Sequence, residues 1–359
     1  MKQFKHAALL VEGAKDIFHA KTASVLLRYR PESLSFLIDS THSKPTPNIF
    51  SINSIVPVIT DVKQGLGKID TIIICLMLPE GKVPQSWIDH ITTALKNGID
   101  IINPLHVDFG KLKEVASVLG GTSINSSEAL TKFNDCKGEI HNIRIPPDDI
   151  ELFSLKVLKT HAKRVLTVGS DCNIGKMLTS LELNAAAKKR GINSDFIATG
   201  QIGMLIKGEG IAIDRVISDF VPGSVEKLIL KEKNRDLVFV EGQGSIFQPI
   251  YSAVTMGLIH GTAPDAMILC HVPSRKKLRY TDIDMPSYSN MIKMYEDIAG
   301  IVNKSKIVGI SLNCHDMSDE EALKIIKQTE KETGLPATDP VKFGVDKLIE
   351  NLLEYLKLN

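Results

Sequence analysis

The chain has 359 residues, which is enough for two or three domains that each bury a core. Hydrophobic residues make up 43% and charged residues 24% of the sequence, as in ordinary globular proteins, and the formal net charge is only +1. This balance gives no general attraction to nucleic acids or anionic membranes, and an aromatic content of 5% argues against a surface that stacks bases.

Cysteine usage and hydropathy favour the cytoplasm. The five cysteines are scattered and form no C-x-x-C pair, as in reduced intracellular proteins. The N-terminal apolar run, residues 7–11, is too short for a signal sequence, and no stretch approaches the roughly 18 apolar residues of a membrane helix. We therefore expect a cytoplasmic protein with no membrane or nucleic-acid partner, and a homo-oligomer.

Short apolar runs alternate with helical patterns in the first half of the chain. Strands are predicted at 7–11, 34–38, 55–58, 71–77 and 99–103, and helices at 22–30 and 84–97. This alternation predicts βαβ units and a Rossmann-like parallel sheet. The first strand is followed by Glu12 and Gly13 without a G-x-G-x-x-G fingerprint, so no nicotinamide cofactor is expected. Asp39, after the second strand, is interpreted as a turn or cap residue.

The alternation weakens between residues 107 and 145. A glycine pair at 120–121, a polar stretch at 123–127 and a proline pair at 146–147 interrupt it, and 140–145 is interpreted as a connecting strand. We therefore place the domain boundary near residue 140, with a Rossmann-like domain at 1–140 and a catalytic domain at 141–359.

The second half repeats the α/β rhythm more strongly. Strands are predicted at 164–168, 195–199, 237–240, 266–271 and 306–313, and helices at 176–190, 224–232, 288–303, 319–333 and 345–356. Ser318 and the acidic residues after it are typical of a helix start, and Gly334 of a helix end. The predicted fold class is α/β, a Rossmann-like parallel sheet domain followed by a P-loop NTPase-like doubly wound domain.

The first strand of this second half leads into a glycine-containing turn and then a helix. Such a strand–turn–helix unit binds phosphate through backbone N–H groups and a lysine. The residues expected to bind a cofactor here are Gly169, Ser170, Cys172, Asn173, Ile174, Gly175 and Lys176. A standard P-loop has a magnesium-binding hydroxyl after its lysine, where this chain has Met177. The glycine loop, as we call residues 169–176, is thus predicted to hold phosphate but to be poorly equipped for metal-bound ATP.

Other polar residues follow the later strands, where parallel sheets bind ligands. Glu241 ends a predicted strand and is either a general base or a carboxylate that caps the adjacent glycine turn. His271 is the first choice for a histidine acid or base, and His260 the second. Cys270 and Cys314 each precede a histidine, but adjacent strand residues point to opposite faces, so no metal site is predicted.

Three charged residues and one turn complete the predicted site. Asp171 either meets a substrate cation, as a catalytic residue, or forms an Asx turn that stabilises the loop. Arg275 and Arg215 are candidate clamps for substrate carboxylates, with solvated loops as the alternative. Gln243 and Gly244 are expected to contact substrate, because backbone N–H groups at 242–244 are placed to stabilise an oxyanion.

Taken together, these motifs resemble the DUF1611 family over nearly the whole chain. The resemblance rests on the glycine loop and on residues 241–245, 260–265, 270–271, 311–313 and 334–340. It implies a Rossmann-like N-terminal domain and a P-loop-type C-terminal domain related in shape to dethiobiotin synthetase. For members with an assigned activity, it implies N-acetylation of D-glutamate from acetyl-CoA.

The expected function is therefore N-acyl transfer from acetyl-CoA to the amine of a small amino acid, with D-glutamate as the expected substrate. Coenzyme A carries phosphates that suit Lys176 without a metal ion, whereas Met177 offers ATP-bound magnesium no hydroxyl. Two alternatives stay open. One is an ATP- and magnesium-dependent ligase or kinase of the dethiobiotin-synthetase type, and the other is a nucleotide-sensing protein without turnover.

Overall fold

The computed structural model describes residues 2–14, 19–41, 56–76, 83–107, 124–127, 130–133 and 135–358. Contacts divide the chain into two compact units. The first comprises Met1–Pro146 together with Met204–Ala212, and the second comprises Pro147–Gly203 together with Ile213–Asn359. None of the helices described is long and apolar enough to cross a membrane.

The first unit is built on a mostly parallel sheet. Its strands are β1 (Ala7–Leu10), β2 (Leu34–Ile38), β3 (Val58–Ile59), β4 (Thr71–Ile74), β5 (Asp100–Asn103), β6 (Ile124–Ser127), β7 (Leu130–Lys132) and β8 (Ile140–Asn142). They lie in the order β3-β2-β1-β4-β5-β8-β7-β6, and only β7 pairs antiparallel with its neighbours. Helices Lys21–Tyr29 and Gln85–Lys96 and the 3-10 turns Pro31–Ser33 and Val62–Gly65 connect them. The buried strands β1 and β4 are continuous apolar or β-branched runs, as parallel sheets require.

The second unit carries the glycine loop on a six-stranded parallel sheet. Its strands are β9 (Lys163–Gly169), β10 (Ser194–Ile197), β11 (Leu237–Val240), β12 (Ala266–His271), β13 (Lys306–Leu312) and β14 (Ala337–Thr338), in the order β10-β11-β9-β12-β13-β14. Its helices are Lys176–Lys189, Val221–Lys231, Ser252–Thr262, Tyr288–Ala299, Asp319–Thr333 and Asp346–Leu356. A further helix, Gln201–Lys207, begins in this unit and ends in the segment assigned to the first unit. Short 3-10 turns lie at Lys156–Lys159, Ile213–Arg215 and Ser218–Phe220. The strand order places the ends of β11, β9 and β12 side by side, which sets the position of the site.

The predicted α/β fold class is confirmed, and most predicted elements lie within a few residues of their observed positions. The capping box at Ser318 and the left-handed Gly334 bound helix Asp319–Thr333, as expected. Some predicted features lie outside the described residues. They are the start of the strand predicted at 55–58, the end of the one predicted at 71–77, and residues 120–121 and 123. The proposed boundary near residue 140 stays a prediction, since the contact-based division falls after Pro146 and includes a later segment.

Two helices were not predicted. Gln201–Lys207 lies among glycines at 200, 203 and 208, and Ser252–Thr262 contains two glycines, and glycine lowers helix propensity. A side chain on Gly261 would lie 2.3 Å from the Pro222 carbonyl oxygen, and one on Gly257 would lie 2.7 Å from Val221. These glycines are explained by close packing against helix Val221–Lys231, which a single sequence does not reveal.

Candidate active site

The glycine loop has the backbone shape of an anion site. Asn173 and Gly175 have left-handed φ angles of 51° and 105°, which turn the chain sharply into helix Lys176–Lys189. The N–H groups of Ile174 and Gly175 have no acceptor within the part of the chain that the structure describes. The helix start also lacks a side-chain cap. Backbone donors and the positive end of a long helix therefore meet at the loop, as in phosphate sites.

Lys176 reaches back over the loop rather than into solvent. Its side chain is buried, and its ammonium donates to the Asp171 carbonyl oxygen at 2.7 Å. Met177 is buried beside it and supplies no hydroxyl. Thr179, the next hydroxyl on this helix, donates to the Gly175 carbonyl oxygen and lies 2.7 Å from the Ser311 hydroxyl. The loop thus retains its lysine, while the hydroxyl at Thr179 is engaged by the protein itself.

Asp171 ties the glycine loop to the segment after β12. Its fully buried carboxylate accepts hydrogen bonds from the Arg275 guanidinium and the Arg279 N–H, both at 2.7 Å, and from the Cys172 N–H. The Gln248 amide donates to the same carboxylate at 3.3 Å. Burial alone would raise the pKa of this carboxyl, but the two N–H groups and the guanidinium lower the pKa below its ordinary value. The structure thus pairs Asp171 with Arg275, and their predicted roles toward substrate stay predictions.

Glu241 lies at the end of β11 with its side chain buried. One carboxylate oxygen accepts the N–H groups of Thr199 and Gly200 at 3.0 and 3.1 Å, directly before helix Gln201–Lys207. A side chain on Gly203 would approach that oxygen to 2.3 Å, so a glycine is needed there. These contacts fix the orientation of the carboxylate, which is compatible with both a cap and a positioned base.

The turn after Glu241 offers backbone donors. The Gly242 N–H donates to the Thr167 hydroxyl at 3.0 Å, so it is already paired. The N–H groups of Gln243 and Gly244 have no acceptor among the described residues. The Gln243 side-chain amide lies 3.3 Å from the Thr199 hydroxyl. Two of the three predicted oxyanion donors are therefore available.

His271 ends β12 against the glycine loop. Its Nδ1 lies 2.9 Å from the Ser170 hydroxyl, and its ring packs edge-on against Tyr288. Burial, followed by the positive charges of Arg275 and Lys276, lowers the pKa of His271 to about 4. The imidazole is therefore neutral near pH 7.

This depressed pKa has a consequence for acid stability. Above pH 6.5, His271 is neutral in both folded and unfolded chains; between pH 6.5 and about 4, only the unfolded chain binds the proton. The free energy of unfolding should therefore fall as the pH falls through that window, by on the order of 3 kcal/mol from this group. The variant His271→Gln cannot titrate there and should lose less. Urea unfolding of both proteins at pH 7, 5.5 and 4.5 measures the difference, and parallel pH curves would contradict it.

The other predicted residues are more peripheral. Arg215 is exposed on the turn Ile213–Arg215, and the Ile213 N–H donates to the Thr199 carbonyl oxygen, so this turn lies next to the β10 end. His260 lies in the last turn of its helix, and its Nε2 is buried with no hydrogen-bond partner in the described chain. Across the same described residues, no three histidine, cysteine or acidic side chains are grouped as a metal would need.

Two side chains that connect parts of the candidate site escaped sequence reasoning. Tyr295 is fully buried; its hydroxyl donates to the Gly169 carbonyl oxygen at 2.6 Å and accepts the Ile246 N–H at 3.3 Å. It therefore joins the glycine loop to the turn after Glu241, and burial raises the pKa of Tyr295 to about 12. Gln248 joins Asp171 to the Arg279 carbonyl oxygen. The only sequence signal was the position of Gln248 a few residues after a strand-end motif.

Comparisons with known proteins identify the family. Residues 151–349 match the domain of unknown function DUF1611_C, described as a P-loop domain, and residues 40–120 match DUF1611_N, described as a Rossmann-like domain. A crystal structure of a DUF1611 family protein from Anabaena variabilis is 31% identical with a TM-score of 0.86, covering 98% of this chain and 99% of that chain. The chain belongs to the DUF1611 family, as its motifs suggested.

Two curated relatives carry a named activity. A protein of Tritonibacter scottomollicae, 38% identical over 79% of this chain and 80% of its own length, is named D-glutamate N-acetyltransferase. A protein of Pseudoalteromonas sp. with the same name is 35% identical over 76% of this chain and 78% of its own length.

Proposed function

We propose that this DUF1611 family member transfers the acetyl group of acetyl-CoA to the amine of D-glutamate. The observation that carries the proposal is the glycine loop, which keeps Lys176 and unpaired amides but buries Met177 at the position of a magnesium-binding hydroxyl. Such a loop suits a ligand whose phosphate is held and not transferred. The two relatives named D-glutamate N-acetyltransferase support an acetyltransferase enzyme in general.

The loop fits the pyrophosphate of coenzyme A. The N–H groups of Ile174 and Gly175, at the start of an uncapped 14-residue helix, would donate hydrogen bonds to phosphate oxygens. The Lys176 ammonium, now on the Asp171 carbonyl oxygen, is within the same loop and would add a charge-assisted bond. In this arrangement the protein supplies every donor, and magnesium is not required for binding.

The charges around the strand ends favour Glu241 over His271 as the base. The substrate amine arrives protonated and must lose a proton before its nitrogen attacks the thioester carbonyl. Burial, and after it the charges of Arg275 and Lys276, disfavours a positive charge on the His271 ring and lowers its pKa. The Glu241 carboxylate, whose orientation two backbone N–H groups fix, carries the negative charge that attracts the ammonium group and would accept its proton.

The remaining steps need a place for negative charge. When the amine nitrogen bonds to the carbonyl carbon, the carbonyl oxygen becomes an oxyanion, which the Gln243 and Gly244 N–H groups would stabilise. The nitrogen then gives up its second proton as the carbon–sulfur bond breaks, and the coenzyme A thiolate leaves and takes up that proton. The products are N-acetyl-D-glutamate and free coenzyme A.

The proposal is tested by following free thiol when purified protein is mixed with acetyl-CoA and one amino acid at a time. We expect thiol release with D-glutamate, slower release with L-glutamate, and a product heavier by one acetyl group in the mass spectrum. No release above background with any amino acid would contradict acetyl transfer.

The P-loop domain keeps an ATP-dependent ligase or kinase open as the second candidate. That function predicts magnesium-dependent ADP formation in the presence of an amine or carboxylate substrate. A nucleotide sensor predicts binding without any product. Incubating the same protein with ATP and magnesium, with and without D-glutamate, separates these functions from acetyl transfer, since only the ligase or kinase releases ADP.

A further inference from the structure

Residues 275–285 form a basic hairpin that is hydrogen-bonded to the glycine loop. The Leu278 N–H donates to the Ile283 carbonyl oxygen and the Met285 N–H to the Lys276 carbonyl oxygen, which closes the hairpin. Leu278 is buried and anchors it. Asp171 holds its first turn through the Arg275 guanidinium and the Arg279 N–H. The hairpin is therefore fixed to the loop by a buried carboxylate.

Two positive charges on this hairpin pair with no acidic side chain among the residues that the structure describes. Lys277 pairs with Asp282 at 3.1 Å, and Arg275 pairs with Asp171. Lys276 and Arg279 are exposed and pair with none of the described carboxylates; the Arg279 guanidinium only stacks on the Tyr280 ring. Asp284, the remaining acid of the hairpin, is exposed on the strand opposite Lys277. An uncompensated lysine and arginine beside a phosphate cradle are suited to a second phosphate of the same ligand.

We propose that Lys276 and Arg279 bind the ribose 3′-phosphate of the coenzyme A whose pyrophosphate lies in the glycine loop. This inference rests on the proposed function and adds coenzyme selectivity to it. The pyrophosphate and the 3′-phosphate of coenzyme A are separated by one ribose, so two adjacent anion sites match one ligand. The fixed hairpin backbone limits the entropy lost when the two side chains bind.

The test compares calorimetric Kd values of coenzyme A and 3′-dephospho-coenzyme A for the whole protein and for a variant with both Lys276→Ala and Arg279→Ala. We expect the wild type to prefer coenzyme A by at least about tenfold, since hydrogen bonds to charged groups are individually strong. The double variant should bind both coenzymes equally, with the Kd for 3′-dephospho-coenzyme A unchanged. The kcat/KM values of the double variant for acetyl transfer should likewise be equal for the acetylated forms of the two coenzymes.

The matched control carries Lys293→Ala and Lys324→Ala, which remove two exposed lysine charges on helices Tyr288–Ala299 and Asp319–Thr333. It should keep the preference of the wild type. Equal wild-type affinities for the two coenzymes, or a double variant that weakens both equally, would overturn the inference while thiol release still supported acetyl transfer. Absence of both coenzyme binding and thiol release would overturn the proposed function and this inference together.

Discussion

Replacing Glu241 with glutamine is expected to lower kcat for acetyl transfer by about a hundredfold to ten-thousandfold, the usual contribution of a general base. The glutamine side-chain oxygen still accepts the N–H groups of Thr199 and Gly200, so the start of helix Gln201–Lys207 is preserved. What is lost is the ability to take a proton from the substrate ammonium. Steady-state kinetics with D-glutamate, and a urea unfolding curve to show that the variant is folded, measure the two effects separately.

Glu226 provides the control for this variant. It is another buried glutamate of the same unit, and its carboxylate accepts the N–H groups of Ser154 and Val157 far from the glycine loop in sequence. Glu226→Gln should change stability but leave kcat close to that of the wild type. If Glu241→Gln also keeps its kcat, Glu241 is a cap and the proposed base is wrong.

Replacing Lys176 with methionine is expected to raise the Kd of acetyl-CoA by about tenfold to a hundredfold, the cost of a charge-assisted hydrogen bond to phosphate. Methionine keeps much of the aliphatic stem, which matters because a side chain on Gly242 would lie only 2.9 Å from the Lys176 Cδ. Packing around the loop should therefore survive while the positive charge is lost. Calorimetric titration with acetyl-CoA measures the change.

Lys189→Met is the matched substitution, since Lys189 is exposed near the other end of the same helix. It should bind acetyl-CoA as the wild type does. Unchanged binding by Lys176→Met would show that the lysine does not hold the coenzyme phosphate.

Local sequence patterns predict most of the strands and helices of this fold. Buried parallel strands such as Leu237–Val240 are continuous apolar runs, and a glycine or a carboxylate at their ends shows where they stop. Because parallel strands present their carboxyl ends to one edge, strand assignment predicts that Glu241 and His271 lie at the same edge as the glycine loop, while their contacts with the end of β10 and with Ser170 come from the structure. The strand–turn–helix unit that carries the glycine loop was predicted in the same way.

The contacts that complete the site are distant in sequence and leave no local pattern. Asp171 and Arg275 are 104 residues apart, and Tyr295 reaches Gly169 across 126 residues. Each is a single polar side chain on an ordinary helix or loop, so neither periodicity nor spacing marks it. The pairing of the Gly242 N–H with Thr167 is likewise a tertiary contact, and it reduces the predicted oxyanion donors to Gln243 and Gly244.

The central claim is that the glycine loop holds the phosphates of coenzyme A without a metal ion. The most direct test is calorimetric titration of the wild-type protein with acetyl-CoA, once with EDTA and once with magnesium, alongside a titration with ATP and magnesium. We predict saturable acetyl-CoA binding with the same Kd in both buffers and no magnesium-dependent gain in affinity for ATP. Tight binding of ATP only with magnesium, together with no binding of acetyl-CoA, would contradict the account.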